Sequence, residues 1–197
     1  MTLCCTPQVY FPREDSELLA RAAANHAFGK VLDMGCGTGI VGINATRNPA
    51  VTEIVFADCN LEAVKCAKEN AKANGVRRAR FVKTNLFSAL EKEEFDCICF
   101  NPPYLPSDPE DCSPTELKLA WDGGADGRSV IDLFLAQFPE HLKENGVLLL
   151  VDCSLNDSKK TEQALSRQGF EFSVLETQSF FFERLRVLKA SKKTHLL

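Results

Sequence analysis

The sequence predicts an α/β protein: a mostly parallel sheet of seven strands with helices on both faces and a terminal antiparallel hairpin. Three observations lead there. Apolar runs of strand length alternate with helix-forming stretches, the pattern of parallel strands joined by crossover helices. A cluster of glycines follows the first of those runs, where a strand must turn sharply into a helix. The 197 residues are 45% hydrophobic and 25% charged, a composition that supports one folded core.

Each element has a local cause. Residues 16–27 are dense in helix formers, begin behind acidic Glu14 and Asp15, and stop before Gly29. Residues 30–34 form a first strand, and 39–47 carry apolar side chains at helical spacing. A second strand is expected at 53–58. The amphipathic helix 61–74, closed by Gly75, places Leu61, Val64, Ala67 and Ala71 on one side. A third strand at 79–84, a helical turn at 86–90 and a fourth strand at 95–100 follow. The segment 101–122, rich in Pro, Ser and Asp, is long for a connection in a compact domain, which marks it as functional. Residues 127–142 read as a helix, 146–152 as a fully buried fifth strand, 157–168 as a helix, and 170–175 with 182–189 as the terminal pair. One domain is expected over 1–197: an N-terminal extension and helix (1–29), the core (30–190) and a polar tail (191–197).

Composition narrows the function. The longest aliphatic run, 147–151, is far shorter than the roughly 20 residues a bilayer needs. Arg13, Glu14 and Asp15 stand where a signal segment would be apolar, so the expected address is the cytoplasm, or the nucleus for a eukaryotic chain. A net charge of -4 argues against autonomous binding to DNA. That charge is uneven, because five basic residues and no acid lie from Arg184 onward, leaving 18 basic against 27 acidic residues before it. Nine cysteines occur without any Cys-x-x-Cys, and His26, His141 and His195 are scattered. Reduced packing cysteines are therefore expected, with no metal site.

Two constellations carry chemistry. In Val31-Leu-Asp33-Met-Gly35-Cys-Gly37-Thr-Gly39 a strand turns into a helix through glycines, which lets a backbone approach a nucleotide-like ligand and aims helix N–H groups at it. Gly37-Thr-Gly39-Ile-Val-Gly42 with Asp58 also satisfies a dinucleotide fingerprint. Asp33 repels a pyrophosphate there and suits a cation. S-adenosylmethionine, with a sulfonium, an ammonium and no phosphate, fits Asp33 at its aminoacyl end and Asp58 at its ribose. The second constellation is Asn101-Pro-Pro-Tyr104, directly after the fourth strand. Its prolines stiffen the loop and free its carbonyls. A planar nitrogen is a poor nucleophile because its lone pair is delocalised. Asn101 and the Pro102 carbonyl can hold its two N–H groups while Tyr104 packs on the flat group, so that positioning lowers the barrier.

Together these residues resemble class I S-adenosylmethionine-dependent methyltransferases of the N-P-P-Y type. More narrowly, the chain is similar to the HemK-related glutamine methyltransferases that modify translation release factors. The likeness begins at Val9-Tyr-Phe-Pro-Arg-Glu-Asp-Ser16, continues through the glycine turn, Asp58, Asn85-Leu-Phe87 and Asn101-Pro-Pro-Tyr104, and ends at Trp121-Asp-Gly-Gly-Ala-Asp-Gly-Arg128. The short N-terminal extension resembles the eukaryotic and archaeal branch. The resemblance implies a Rossmann-like fold with Ser16, Asp33, Gly35, Gly37, Asp58, Asn85, Leu86 and Asn101 at the cofactor. It implies Asn101, Pro102, Pro103, Tyr104 and Leu105 at the substrate, with Asn101, Pro102 and Tyr104 catalytic. It also implies S-adenosylhomocysteine as product, a Gly-Gly-Gln glutamine of a class I release factor as target, and a small zinc-binding activator subunit in a heterodimer. Asn85 stands where relatives have Asp, and Phe11 where they often have Glu.

Other readings stay open on the sequence. The same loop serves adenine-N6 methylation of DNA, and a relaxed site serves lysine methylation. The glycine fingerprint leaves an NAD-dependent oxidoreductase as the alternative outside methyl transfer. Trp121 is a substrate platform or an anchor of its loop. Glu14 and Asp15 either face the site or favour the first turn of their helix. The Arg77-Arg78-Ala-Arg80 cluster is expected to complement the helix dipole.

Overall fold

The computed structural model describes residues 1–193. Its strands are β1 (Gly29–Met34), β2 (Val51–Asp58), β3 (Ala79–Lys83), β4 (Phe95–Phe100), β5 (Leu142–Cys153), β6 (Phe170–Ser179) and β7 (Arg184–Lys192). Its helices are α1 (Glu14–His26), α2 (Ile40–Ala45), α3 (Leu61–Ala73), α4 (Thr115–Lys118), α5 (Ser129–Gln137) and α6 (Ser158–Arg167). The strands form one seven-stranded sheet in the order β3-β2-β1-β4-β5-β7-β6. Strands β1 to β5 run parallel, and β7 is antiparallel to both of its neighbours. This is the expected architecture.

Strand parity sorts the side chains into two cores, as the period of two requires. Val31, Ile54, Phe56, Cys97, Cys99, Leu149 and Val151 pack with Leu18, Leu19, Ile40 and Ala67 from α1, α2 and α3. Their neighbours Leu32, Val55, Ile98, Phe100, Leu148 and Leu150 pack on the other face with Phe134 and Leu135 of α5 and Leu165 of α6. Cys97 and Cys99 lie side by side in the first core, their sulfurs 3.8 Å apart. All nine cysteines are free, and five of them are buried. Packing accounts for those five; Cys4, Cys59 and Cys112 are exposed.

The sheet grows outward from β1 in one direction through β2 and β3, and in the other through β4 and β5. The crevice at the carboxyl ends of β1 and β4 is therefore the switch point where open α/β sheets bind ligands. Met34 pairs with Phe100 on one side and Ala57 on the other. That register puts Gly35, Asn101 and Asp58 next to one another at the same edge.

Several local expectations are corrected. The fifth strand starts at Leu142 rather than 146, because the helix before it stops at Gln137 and a 3₁₀ turn at Phe138–Glu140 contains Pro139. Proline cannot donate to a continuing helix, and Leu142 then pairs with Phe95. Residues 86–90 form turns without a helix: the Thr84 hydroxyl donates to the Leu86 carbonyl at 2.8 Å and accepts from Ala89 N–H at 3.0 Å, competing for helical partners. Leu61, in the first turn of α3, is 43% exposed and not on the buried face. The loop 101–122 contains the short helix α4. Ser191 and Lys192 belong to β7 and not to a tail, and 194–197 lie outside the described residues. Two of the five basic residues at this end are paired: Arg186 donates to fully buried Asp152 and to Glu162 at 2.6 and 2.9 Å, and Lys192 meets Glu144 at 2.9 Å. Arg80 sits in β3, paired with Glu93, and Lys72 is the basic residue in the last turn of α3.

The N-terminal arm follows α3, held by three asparagines. Asn74 exchanges hydrogen bonds with the Thr2 backbone, Asn60 donates to the Gln8 carbonyl, and Asn70 binds both backbone groups of Cys4. Asn70, 2% exposed, also donates to the Thr38 carbonyl in the glycine turn. The arm and the turn therefore share one side chain.

Helix α2 can lie on β2 only because Gly42 lacks a side chain: a Cβ there would stand 2.4 Å from the Phe56 ring. Gly42→Ala is expected to lower stability by about 2–3 kcal/mol, read as a fall of roughly 5–10 °C in melting temperature.

Candidate active site

The first half of the site is built by the turn after β1. Gly37 has φ +51, and a Cβ on it would meet nothing within 4 Å, so open space lies beside the turn. Its N–H donates to Asp58 Oδ2 at 3.0 Å, while Asp58 Oδ1 accepts from Asn60 N–H at 2.8 Å. Asn60, and not Asp58, caps α3 through a bond from Glu62 N–H. Asp33, 2% exposed, accepts the Gly42 N–H at 2.8 Å in the first turn of α2. Burial raises the Asp33 carboxyl well above the usual carboxylate range, the Gly42 bond opposes this, and the Asp58 charge adds to it. Burial also raises Asp58, against the pull of the Gly37 and Asn60 N–H groups. Two neighbouring carboxylates in a low-dielectric edge favour a cationic partner. Asn85 is exposed just past the end of β3, one residue beyond Thr84, whose N–H binds the Asp58 carbonyl at 2.8 Å. Leu86 beside it is buried, at φ +48.

The second half is built around Asn101 at the end of β4. Its Nδ2 donates to Asp15 Oδ2 at 3.0 Å and to Ser16 Oγ at 3.4 Å. The Tyr104 hydroxyl donates to the same Asp15 oxygen at 3.4 Å, and the other oxygen takes the Ser16 N–H at 2.6 Å. A carboxylate only accepts, so it fixes which way the amide of Asn101 turns. The consequence is an Asn101 Oδ1 that is buried and has no hydrogen-bond partner. An orphaned buried acceptor is rare in native proteins and calls for a donor from outside. Pro102 and Pro103 are buried, Tyr104 and Leu105 half-buried. No N–H of the described residues donates to the Pro102 carbonyl. The Tyr104 phenol is raised by burial first and then by the charges of Asp15 and Glu183, so it stays protonated.

The long loop braces this half. Leu105 N–H donates to the Trp121 carbonyl at 2.9 Å, and Gly123 N–H returns a bond to the Leu105 carbonyl at 2.8 Å. Gly127, at φ +71, presses on the Tyr104 carbonyl so closely that a Cβ would lie 2.2 Å from it. Arg128, 1% exposed, ties the loop to the Asn156 carbonyl at 2.7 Å and to Thr161 Oγ1 at 3.1 Å. Trp121 bonds Asp111 through its indole N–H at 3.3 Å and tilts against Tyr10, so it anchors the loop.

The structure thus gathers Asp33, Gly35, Gly37, Asp58, Asn85 and Leu86 at the ends of β1 to β3, and Ser16 with 101–105 at the end of β4. The two groups meet where a Cβ on Gly35 would lie 3.8 Å from the Asn101 carbonyl. Sequence reasoning leaves Asp15 undecided between the site and the helix dipole, and it assigns no role to Arg128 or Glu183. The contacts with Asn101 and Tyr104, 86 and 89 residues away, separate the readings of Asp15.

A switch-point crevice of this build, on this strand order, defines a class I methyltransferase. The family model for the methyltransferase small domain matches residues 12–113. A Methanocaldococcus jannaschii chain assigned as a protein N5-glutamine methyltransferase is 39% identical over 184 residues, covering 93% of this chain and 92% of that one. Mouse methyltransferase HEMK2 is 32% identical over 194 residues, 93% of this chain and 90% of that one. Among solved structures, the E. cuniculi Mtq2–Trm112 complex, described as responsible for methylating the eRF1 translation termination factor, superposes with a TM-score of 0.71 at 26% identity, over 94% of this chain and 99% of that one. The chain belongs to the methyltransferase small-domain family and, within it, to the HemK-related protein N5-glutamine methyltransferases.

Burial raises the proton affinity of the Asp33 carboxyl in the folded chain, which costs stability wherever the unfolded chain would ionise it. Its penalty is absent below the ordinary carboxylate value of about 4 and grows as pH rises through the raised value. Asp33→Asn keeps an acceptor for Gly42 and carries no charge. Without ligand it is expected to melt about 3 °C higher than the wild type at pH 7, the shift for roughly 1 kcal/mol in a chain of this size, and to lose that advantage as the pH falls toward 4.

Proposed function

We propose that the chain transfers a methyl group from S-adenosylmethionine to the side-chain amide nitrogen of the glutamine in the Gly-Gly-Gln motif of a class I release factor. The observation that carries this reading is the buried Asn101 Oδ1, left without a partner while Asp15 takes the Nδ2 side of the same amide. One N–H of a carboxamide satisfies it, and the Pro102 carbonyl is free for the other.

When bound, S-adenosylmethionine supplies an electrophilic methyl on a cationic sulfur. Asp33 and Asp58, both with raised proton affinity, would gain from its ammonium and ribose hydroxyl groups. Gly35 and Gly37 would let its aminoacyl end approach the backbone, and Asn85 with Leu86 would border the adenine. The stiff 101–105 loop would hold the amide so that its nitrogen faces the methyl carbon. No group of the described site needs to act as a strong base, since orientation supplies the rate enhancement. A small activator subunit is part of the proposal, supported by a structural neighbour that was solved in complex with Trm112.

Tritiated S-adenosylmethionine offered with a release factor, with the same factor lacking its target glutamine, and with duplex DNA tests the reading. Label on the intact factor alone is expected, and label on DNA but not on the factor overturns it. Asn101→Ala is expected to lower kcat on the order of 10²–10³-fold while S-adenosylhomocysteine affinity, read by calorimetry, stays near wild type. Asp15→Ala frees the Asn101 amide to turn and is expected to lower kcat by about 10–100-fold with the same unchanged cofactor affinity.

A further inference from the structure

The mouth of the amide site carries an apolar surface that orienting the amide does not use. Of the ten large apolar side chains exposed among the described residues, only Met1, Leu133 and Val174 lie away from the C-terminal edge of the sheet. The most exposed of the rest are consecutive: Phe181 at 92% and Phe182 at 84%, next to Phe180 at 38%. They sit in the turn between β6 and β7, closed by the Phe180 N–H on the Glu183 carbonyl at 2.7 Å. The Phe181 and Phe182 rings meet edge to face with centroids 4.7 Å apart, so the pair is a preformed knob. Glu183 ties that knob to the site: its carboxylate accepts the Cys153 thiol at 3.4 Å at the end of β5, and its charge reaches both Tyr10 and Tyr104. At the same mouth Phe11, 69% exposed, stands just before α1, whose Asp15 holds Asn101. Leaving such rings in water is unfavourable relative to burying them.

We infer that Phe181 and Phe182, with Phe11, dock the polypeptide that flanks the target glutamine of a protein substrate, and that they favour small, uncharged residues there. The inference rests on the release-factor reading. A glutamine side chain spans only about 5 Å from Cα to its amide nitrogen, given standard bond lengths near 1.5 Å. Its main chain must therefore lie on the rim when the amide reaches Asn101. Small neighbours let peptide planes lie flat against aromatic rings, where dispersion and desolvation favour them. The charges near the mouth are of both signs, with Arg13 and Arg184 close to Glu14 and Glu183. That mixture offers no continuous positive field for a phosphate backbone. A polypeptide loop is thus the occupant that the surface fits.

The test is the double variant Phe181→Ser/Phe182→Ser, whose rings are too exposed to support the fold. Steady-state methylation of a full-length class I release factor is measured with the enzyme and any subunit that purifies with it. The KM for the factor is expected to rise about tenfold, with kcat changed less than about twofold and S-adenosylhomocysteine affinity unaltered. Phe181→Tyr/Phe182→Trp is expected to keep the wild-type KM. Equal KM values for the serine variant and the wild type overturn the inference. So does a KM rise matched by loss of the small subunit or a changed mass on gel filtration, which assigns the knob to that subunit or to a second copy. A wild-type enzyme that leaves the factor unlabelled defeats the release-factor reading itself, and the docking inference falls with it.

Discussion

The pairing of Met34 with Phe100 across β1 and β4 is the constraint on which the site depends. Two segments with no sequence relation, a glycine turn and a proline loop, become neighbours because their strands end at the same height in a parallel ladder. A slip of one residue would turn every side chain of β4 to the other face, since strand periodicity is two. The two cores guard against that slip: Cys97 and Cys99 fill the space under α1 and α2, while Ile98 and Phe100 pack toward α5. Stability on both faces therefore sets the distance between cofactor turn and substrate loop.

At that junction the protein accepts unfavourable local electrostatics. Asp33 and Asp58 are buried as neighbours with no cation among the described residues beside them, and Asn101 presents a buried acceptor to nothing. Each is destabilising on its own, because desolvated polar groups without partners raise the free energy. Each is also specific, since only a ligand with the matching charge or N–H geometry removes the penalty. Asp15 stands at the centre of this arrangement. It satisfies Ser16, Tyr104 and one end of Asn101 and thereby leaves the other end unsatisfied.

Rigidity comes from farther away. Arg128 reaches from the glycine-rich loop to the carbonyl of Asn156 and the hydroxyl of Thr161, and Gly127 lets the loop press on the Tyr104 carbonyl. On the opposite side Asn70 links the N-terminal arm to the glycine turn. Both halves are thus held by buried polar side chains that touch main chain, which fixes loops without filling the crevice. The aromatic turn at 180–182 lies outside this bracing, held at its base by Glu183, as suits a surface that meets a large partner.

Much of this was legible in the sequence because it is local. Alternating apolar runs specify strands and helices through periodicity, and Asp33, the glycines and Asn101-Pro-Pro-Tyr104 declare their chemistry by residue type and spacing. Strand identity and the residues that open the two halves of the site needed nothing more, whereas the order of the strands came from the folded sheet. Element ends were less secure: Pro139 and the Thr84 hydroxyl redirect backbone hydrogen bonds, which hydropathy does not register. What only the tertiary structure decided is which distant groups meet. An acidic residue in the first turn of a helix is favourable there for the helix dipole alone, so Asp15 carries no mark of its partner. Its contact with Asn101 exists because α1 packs across the end of β4, and that placement is a property of the whole folded sheet.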